Sequence, residues 1–334
     1  MKHSSKIVFG LLSGLTIILF AFCLFHGSVD IPAGDVAAIL MGDSSVDNGS
    51  RFIVLQSRLP QALTALLAGG ALAVSGLLLQ TAFRNPLAAP DIFGVTGGAS
   101  LAVALLMLAP GMVVSGVLGY LSSVVAAFVG ALAVTGLIWT FSRRVRSSVV
   151  LIVIGIMVGY LCSSAITLLN AFATEEGVRS FVIWGMGDFS NVSLDSMPLF
   201  AAVTVTATFA TLLLVKPLNA LLMGPAYASS IGINVRRTRN VLLVLTGLLT
   251  AVVTAFCGPV AFLALAVPHI AGLLVRTSDH RRLLPATIVT GSAVALLCNA
   301  ATTLPPDGTL LPLNAVTPLV GAPVIIYVVM KKRG

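Results

Sequence analysis

Charged side chains are scarce in this sequence of 334 residues: Asp, Glu, Lys and Arg together make up 9%. Soluble domains devote about 25% of their positions to these residues. Hydrophobic residues reach 57% of the chain, and its mean hydropathy is +1.06. A soluble fold could not bury that much apolar surface, so the composition excludes an ordinary soluble domain and favours an integral membrane protein.

The patterns that carry catalysis are also missing. The sequence has no Gly-x-Ser-x-Gly, no His-Glu-x-x-His and no Walker-type phosphate loop. Its four cysteines lie inside apolar runs, with neither metal-ligand nor disulfide spacing, so we interpret them as packing residues. We therefore expect no catalytic residue, no metal site and no cofactor bound by this chain. The net charge of +8 is spread over separate loops, which argues against nucleic-acid binding.

Long windows without any charged residue are what the chain does contain. Eight such windows are each long enough to cross a bilayer as a helix, which takes about 20 residues. Two of them are too long for one crossing and carry a breaker near the middle, Pro110-Gly111 and Gly258-Pro259. The sequence thus predicts an all-α membrane domain over residues 1–334 with ten spans, at about 7–26, 60–80, 92–109, 113–141, 149–172, 194–215, 239–257, 260–276, 283–303 and 312–330.

Basic residues predict the orientation of these spans, because cytoplasmic loops are enriched in Lys and Arg. The loops opposite to them hold most of the acidic residues and only Arg51, Arg58 and Arg179 as basic ones. Both termini are then cytoplasmic. The apolar N-terminal stretch resembles a signal peptide, but no small-x-small cleavage site follows it, so we treat it as the first span. The residues on the cytoplasmic side are Lys2, Lys6, Arg84, Arg143, Arg144, Arg146, Lys216, Arg236, Arg237, Arg239, Arg276, Arg281, Arg282, Lys331, Lys332 and Arg333.

The connections between spans are short and leave no room for a soluble domain, so an energy-converting or ligand-capturing domain is expected on another chain. The longest cytoplasmic connection covers residues 216–237. Pro217 opens a short helical stretch, Gly224-Pro225 interrupts it, and Gly232 suits a left-handed C-cap after a second stretch. With Ala226, Ala228, Ser229 and Ser230 facing outward, this pair would form a compact knob for a partner's groove. A plain interfacial loop is the alternative.

Ionisable residues at membrane depth are costly and usually functional. Away from the ends of the predicted spans, His269 is the only candidate, and a histidine after Pro268 is more often a hydrogen-bonded packing residue than a proton carrier. The lack of buried Asp, Glu, Lys and Arg argues against an ion-coupled carrier. Repeated small residues, as in Ala68-Gly69-Gly70-Ala71, indicate close helix packing and carry no information about the cargo.

Several motifs resemble the iron-siderophore, haem and vitamin B12 permease family of ABC importers. The resemblance runs in order from Arg58 to the C-terminus. It rests on RLPQALTALLAGGALAVSGLLLQTAFRNPLAAPDIFGVTGGASLAV (58–103), WGMGDFSNVS (184–193), GPAYASSIGINVRRTR (224–239), GPVAFLALAVPHIAGLLVRTSDHRRLLP (258–285) and LPLNAVTPLVGAPVIIYVVMKKR (311–333).

The resemblance implies a type II importer permease with ten spans and a weak inverted repeat, forming a homodimer in the inner membrane of a bacterium. It implies two cytoplasmic ATPase subunits that bind Mg-ATP, and a substrate-binding protein, periplasmic or lipid-anchored, on the other side. The cargo would be an iron chelate such as a ferric siderophore or haem. Cobalamin is the alternative within the family, and an ion-coupled secondary transporter is a more remote one.

The resemblance also assigns functional residues. Asn85 and Leu87 match one cytoplasmic gate and Ser147-Ser148 a second constriction, although Asn85-Pro86 is also readable as a plain turn. The resemblance identifies the cytoplasmic connection, residues 216–237, as the surface that couples to the ATPase. The coupling residues are Pro217, Leu218, Gly224, Ala226, Ser229, Ser230, Gly232, Arg236 and Arg237. Arg58, with Arg51, matches outward arginines that dock the binding protein. Gln61 stands where relatives often have a second docking Arg, which suggests weaker salt-bridge docking here. Gly272 stands where an Arg often follows the Pro-His-Ile motif, so no role is assigned to that side chain.

Overall fold

The computed structural model describes residues 2–43, 45–109, 116–145, 147–305 and 309–331. All regular secondary structure in these ranges is helical. Pro110-Gly111 and four charged residues of the predicted topology, Arg146, Asp307, Lys332 and Arg333, lie outside the described residues.

Fifteen α-helices follow one another along the described chain. A π-helical turn at Ile53–Arg58 joins the third to the fourth without a break. The helices are α1 Lys2–Phe25, α2 Ala33–Leu40, α3 Asn48–Phe52, α4 Leu59–Phe83, α5 Val95–Met107, α6 Gly116–Arg144, α7 Ser148–Phe172, α8 Glu175–Gly185, α9 Met197–Leu212, α10 Val215–Leu222, α11 Pro225–Ser230, α12 Val235–Cys257, α13 Leu263–Val275, α14 His280–Thr302 and α15 Leu313–Lys331.

Each predicted span overlaps one long or apolar helix, but they differ in length. Six helical stretches among the described residues are long and apolar enough to cross a membrane by themselves. The pair α9 and α10 passes the same test together, with a bend of 55° between them, and α5, α13 and most of α15 are shorter apolar helices. The protein is therefore an all-α, multi-span protein, and the count of ten crossings stays a prediction.

Helix α4 forms the centre of the bundle and packs against α14, α12 and α13. Glycines permit these approaches, because a Cβ on Gly69 would overlap the carbonyl of Gly291, and one on Gly76 would overlap the carbonyl of Ala264. Small residues at such crossings let helix backbones touch in lipid. The close packing predicted from Ala68 to Gly76 is confirmed, and all four cysteines are buried and unpaired, as predicted.

The outer helices of this chain expose large apolar side chains along their length. On α1 and α7 these include Leu11, Ile18, Leu161 and Phe172, each more than 60% exposed. Exposing such a surface to water is unfavourable, so it is typical of a face that contacts lipid hydrocarbon or another apolar protein surface. The arrangement agrees with a membrane domain whose polar atoms are satisfied inside helices.

Two non-helical segments interrupt the bundle, and each precedes a helix of 13 residues. The first break, residues 84–94, joins α4 to α5, and the second break, residues 258–262, joins α12 to α13. Arg84, Gly94, Gly258 and Phe262 adopt positive φ angles of 49°, 71°, 72° and 66° at their ends. The interruption predicted at Gly258-Pro259 is confirmed. The helix predicted from residue 92 starts later, because the left-handed Gly94 cannot continue a right-handed helix.

Candidate functional site

Helices α10 and α11 form the predicted pair of short helices, and we call residues 215–232 the knob. The predicted coupling residues Arg236 and Arg237 lie beyond it, in the first turn of α12. Ala226, Ser229 and Ser230 are exposed on α11, as predicted. Ala228 is fully buried, which corrects its outward assignment, because it lies on the opposite side of this short helix from those three residues. Leu218 on α10 is also fully buried and anchors the knob from within, so direct contact of this side chain with a partner is excluded in this arrangement.

Two glycines shape the ends of α11. Gly224 has φ 115°, a value that L side chains rarely adopt, and it precedes Pro225 at the first helical position. Gly232 has φ 84°, which confirms the left-handed conformation predicted for it. Its N–H donates to the carbonyl of Ser229 at 3.0 Å, and the N–H of Ile233 donates to that of Ala228 at 2.9 Å. The knob is thus closed by backbone hydrogen bonds.

Apolar side chains on the knob are exposed as well, and their exposure was not predicted from the sequence. Met223, Tyr227 and Ile231 are 70%, 49% and 52% exposed. An exposed aromatic residue flanked by aliphatic ones is typical of protein interfaces. The sequence carries little signal for them, because they recur at intervals of four but Gly224 interrupts the helix between Met223 and Tyr227.

A polar cluster of Asn219, Asp279, His280 and Thr81 connects the knob to two helices of the bundle. The Asn219 amide N–H donates to Oδ1 of Asp279 at 2.6 Å, and its Oδ1 accepts from the backbone N–H of His280 at 2.8 Å. Oδ1 of Asn219 also lies 2.9 Å from Nδ1 of His280, which must then carry the proton. Nε2 is left to accept from the Thr81 hydroxyl at 2.9 Å.

These contacts order the start of α14. Asp279 is its N-cap and accepts from the backbone N–H of Arg281 at 3.0 Å. This hydrogen bond, together with the one from Asn219, lowers the pKa of Asp279 from its ordinary value. His280 is 1% exposed and joins α10 on one side to Thr81, near the end of α4, on the other. A displacement of α10 would therefore pull on α4.

The first break begins at the C-terminal end of α4. Oδ1 of Asn85 accepts from the N–H of Leu87 at 2.9 Å, so the turn reading of Asn85-Pro86 is correct for the local geometry. The Nε2 N–H of His269 donates to the carbonyl of Pro86 at 2.8 Å, which agrees with a hydrogen-bonded histidine. Leu87 is 42% exposed at the end of this turn.

Helix α7 supports the first break with glycines. A Cβ on Gly155 would lie 2.8 Å from Cα of Phe93, and one on Gly94 would lie 3.0 Å from the Gly155 carbonyl oxygen. Ser147 is exposed and caps α7 by accepting from the N–H of Val150 at 3.4 Å. Ser148 is the first residue of α7, and its side chain lies outside the described part. The two predicted constrictions therefore belong to elements in direct contact.

An open cavity of about 570 Å³ lies between the first break, α13 and the knob. Arg84, Pro86, His269, Leu222 and His280 are among its lining residues. A Cβ on Gly224 would lie 3.8 Å from Nη1 of Arg84, so the break between α10 and α11 adjoins the end of α4. Asn85 of the predicted gate and Leu222 of the knob thus line one cavity, whereas the predicted coupling residues are not among its lining residues.

The second break is held differently. The side-chain amide of Asn314 donates to the carbonyls of Pro259 at 2.7 Å and Gly185 at 3.0 Å, and its Oδ1 accepts from the N–H of Ala261 at 3.0 Å. The N–H of Asp188 donates to the carbonyl of Cys257 at 2.8 Å. One side chain of α15 thus ties this break to the end of α8, a contact that was not predicted from the sequence.

The two arginines predicted for docking occupy different environments. Arg58 is 5% exposed, and its guanidinium donates to the carbonyls of Leu24, Phe25 and Val29. These bonds fasten the end of α1 to the turn before α4, which leaves little of the side chain for a partner. Arg51, in α3, is partly exposed. The docking role stays a prediction, and the placement favours Arg51 over Arg58.

Comparison with known proteins identifies the family of this chain. Residues 15–331 match the FecCD transport family. The chain belongs to this family. The hemin transport system permease HmuU of Yersinia pestis is 31% identical over 97% of this chain and 96% of its own length. The vitamin B12 import system permease BtuC of Klebsiella pneumoniae is 33% identical over 100% of this chain and 96% of its own.

A solved structure shows the same architecture. It is described as an inward-facing conformation of a transporter assigned to the metal-chelate type of ABC transporters. The match has a TM-score of 0.83 and 29% identity, and covers 98% of this chain and 99% of the other. This FecCD protein is therefore the permease subunit of an ABC importer in the inner membrane, with a transport role and the type II permease fold.

Proposed function

We propose that this chain imports an iron chelate, a ferric siderophore or haem, using ATP hydrolysed on a partner subunit. The observation that carries the proposal is the knob, whose exposed small and aromatic surface adjoins the gate in a member of an ABC permease family. The chain has no Walker-type loop of its own. Mg-ATP would therefore be bound by the partner.

The proposed assembly is a homodimer of this chain with two ATPase subunits on the cytoplasmic side and a substrate-binding protein on the other. Both termini and the knob would be cytoplasmic, because the basic residues collect there. The exposed apolar faces of α7 and α15 supply surface for a second copy or for lipid.

The polar cluster supplies a route from the knob to the gate. A force on α10 reaches His280 and Thr81 through Asn219, and the first break starts three residues after Thr81. Packed helices shift between discrete arrangements rather than deform continuously. We infer that closure of the ATPase dimer moves the inner end of α4 together with Asn85 and Leu87, which opens or closes the inner side.

Cobalamin is the second candidate cargo. Relatives named for vitamin B12 import are as similar to this chain as the relative named for hemin transport. All of these cargoes are bulky, and the outer cavity of about 540 Å³ is lined by both apolar and polar residues, including Trp184, Phe256 and Asn191. The iron-chelate proposal follows the broader use of the family, and the uptake measurement below separates the two.

The test is uptake by proteoliposomes that contain this chain, its ATPase and its binding protein. Ferric siderophore, haem and cobalamin are offered separately, with ATP or with an ion gradient alone. The proposal expects ATP-dependent uptake of an iron chelate. Uptake of cobalamin only would select the second candidate, and uptake driven by an ion gradient without ATP would contradict both.

The double variant Ala226→Trp with Ser229→Trp tests the knob in the same assay. Bulky residues would wedge open a contact made by small ones, so ATP hydrolysis should continue while uptake falls about tenfold or more. The pair Ala226→Ser with Ser229→Ala keeps the small volumes and serves as the control. Unchanged uptake in the tryptophan variant would remove the knob from the coupling path.

A further inference from the structure

A groove of about 640 Å³ runs between α6, α9 and α12 on the inner side of the bundle. Its walls are mostly apolar, with Leu213 and Val244 exposed at 83% and 49%. Arg236 and Arg237 lie at one end, in the first turn of α12, and no acidic residue is among those lining it. The groove is thus an apolar channel with a cationic end.

Arg236 and Arg237 lie at the N-terminus of a helix, where a positive charge is electrostatically unfavourable. The N-terminus of a helix carries a partial positive charge, and α12 has no acidic residue in its first turn to offset it. Neither guanidinium has an acidic partner in the described part of the chain. Arg281 and Arg282 occupy the same place in α14, but there Asp279 caps the helix and faces both charges. The cations of α12 therefore lack an internal anion.

The wall formed by α6 has the features of a membrane boundary. Trp139 lines the groove, and the guanidinium of Arg143 lies 5.0 Å from the centre of its ring. Tryptophan is enriched where headgroups meet hydrocarbon. The hydroxyl of Ser142 donates to Oδ1 of Asn240 at 2.9 Å and holds α6 against α12 at this level. The cationic end thus lies at the depth of the inner headgroups.

We propose that this groove binds an anionic phospholipid of the inner leaflet. The phosphate would be held by Arg236 and Arg237 at the N-terminus of α12, and an acyl chain would lie along Val241, Val244 and Leu213. Basic pockets between membrane helices on the cytoplasmic side bind such headgroups, and helix N-termini bind phosphate. An acidic side chain of the ATPase would complement the charges of Arg236 and Arg237 but would not occupy the apolar part of the groove.

The chain's two tryptophans make the test specific. In a Trp184→Phe variant, the fluorescence of Trp139 reports the groove alone. Phosphatidylglycerol with brominated acyl chains should quench it more strongly than phosphatidylcholine with the same chains. Arg236→Gln with Arg237→Gln should weaken the binding of phosphatidylglycerol about thirtyfold, because a basic residue near an anionic headgroup contributes about 1 kcal/mol.

Arg281→Gln with Arg282→Gln is the matched control, since it removes the same charge from another helix start and should leave the quenching unchanged. Glycerol phosphate added to the detergent-solubilised chain should not raise its unfolding temperature, whereas phosphatidylglycerol should. Native mass spectrometry of the unaltered chain from mixed vesicles gives an independent readout of retained lipid. Equal quenching by both lipids would overturn the proposal. So would a double variant that weakens only ATPase binding, which would place Arg236 and Arg237 on the coupling surface.

Discussion

The first break and the second break both precede a 13-residue helix, yet different contacts hold them in place. The side chain of Asn314 makes three hydrogen bonds at the second break. Two of them are with Pro259 and Ala261 in the break, and the third is with Gly185 at the end of α8. The first break has its own turn at Asn85, one hydrogen bond from His269 to Pro86 and glycine contacts with α7. Three side-chain hydrogen bonds from one residue of α15 hold the second break, whereas the first break receives one such bond from another helix and meets α7 at glycines.

This difference indicates which end of the bundle moves. At its contact with α7 the first break meets glycine, which permits one backbone to slide along another, while Phe93 of the same break packs against Phe83. The first break also adjoins the knob through Arg84 and Gly224, whereas the second is bonded through Asn314 to Gly185 at the end of α8. We infer that the first break is the hinge of the inner gate and that the second is a fixed point. The order of a long helix, a break and a short helix in both halves agrees with the inverted repeat implied by the resemblance.

Replacing Asn314 should have the largest effect. Asn314→Leu leaves the Pro259 carbonyl and the Ala261 N–H without their partner, and each such loss costs about 1–3 kcal/mol. We expect a marked fall in unfolding temperature and in the yield of folded protein. Asn170→Leu is the control, because Oδ1 of Asn170 is buried without a hydrogen bond among the described residues. Equal stability of the two variants would contradict the fixed point.

Crowding the first break should come next. In Gly155→Ala, the new Cβ would lie 2.8 Å from Cα of Phe93, so backbone must move, at a cost of about 1–3 kcal/mol. We expect a folded protein whose ATP-driven uptake falls about tenfold. Gly136→Ala on α6 meets nothing within 4 Å and should retain uptake. Full activity of the Gly155 variant would show that the position of the break is unimportant.

The smallest effect is expected from His269→Leu. It removes the hydrogen bond to Pro86, which contributes about 1 kcal/mol to the arrangement described here. ATP hydrolysed per cargo molecule should rise by about fivefold at most, with the unfolding temperature nearly unchanged. His26→Leu, an exposed histidine on the outer side, should leave this ratio unaltered. A ratio no different from the parent protein would exclude His269 from gate closure.

The fold was largely predictable from the sequence because lipid imposes a simple rule. Uncharged stretches must be helical there, so all ten predicted stretches coincide with helices, most of them within about four residues. Gly232 was recognised since positive φ angles favour glycine, and Gly258-Pro259 was recognised as a break in an apolar window too long for one span. Arg84 and Phe262 adopt the same region without being glycine, which local sequence does not indicate.

The site was predictable only in part, because its bonds join residues far apart in the chain. Asn219 meets His280 across 61 positions, and His269 meets Pro86 across 183. Burial at the knob depended on which side of α11 packs inward, and the prediction that Ala228 faces outward was wrong. Asn314 gave no pattern of its own, since one polar residue in an apolar helix has many possible partners.

Cysteine accessibility at the two breaks tests the hinge most directly. Leu87→Cys and Ala261→Cys are each alkylated in the assembled transporter, with and without ATP trapped on the ATPase, and the parent protein, whose cysteines are buried, gives the background. The account predicts that the alkylation rate at position 87 changes about tenfold, a shift of about 1.4 kcal/mol between two states. The rate at position 261 should stay constant. Equal changes at both positions, or a change at 261 alone, would contradict it.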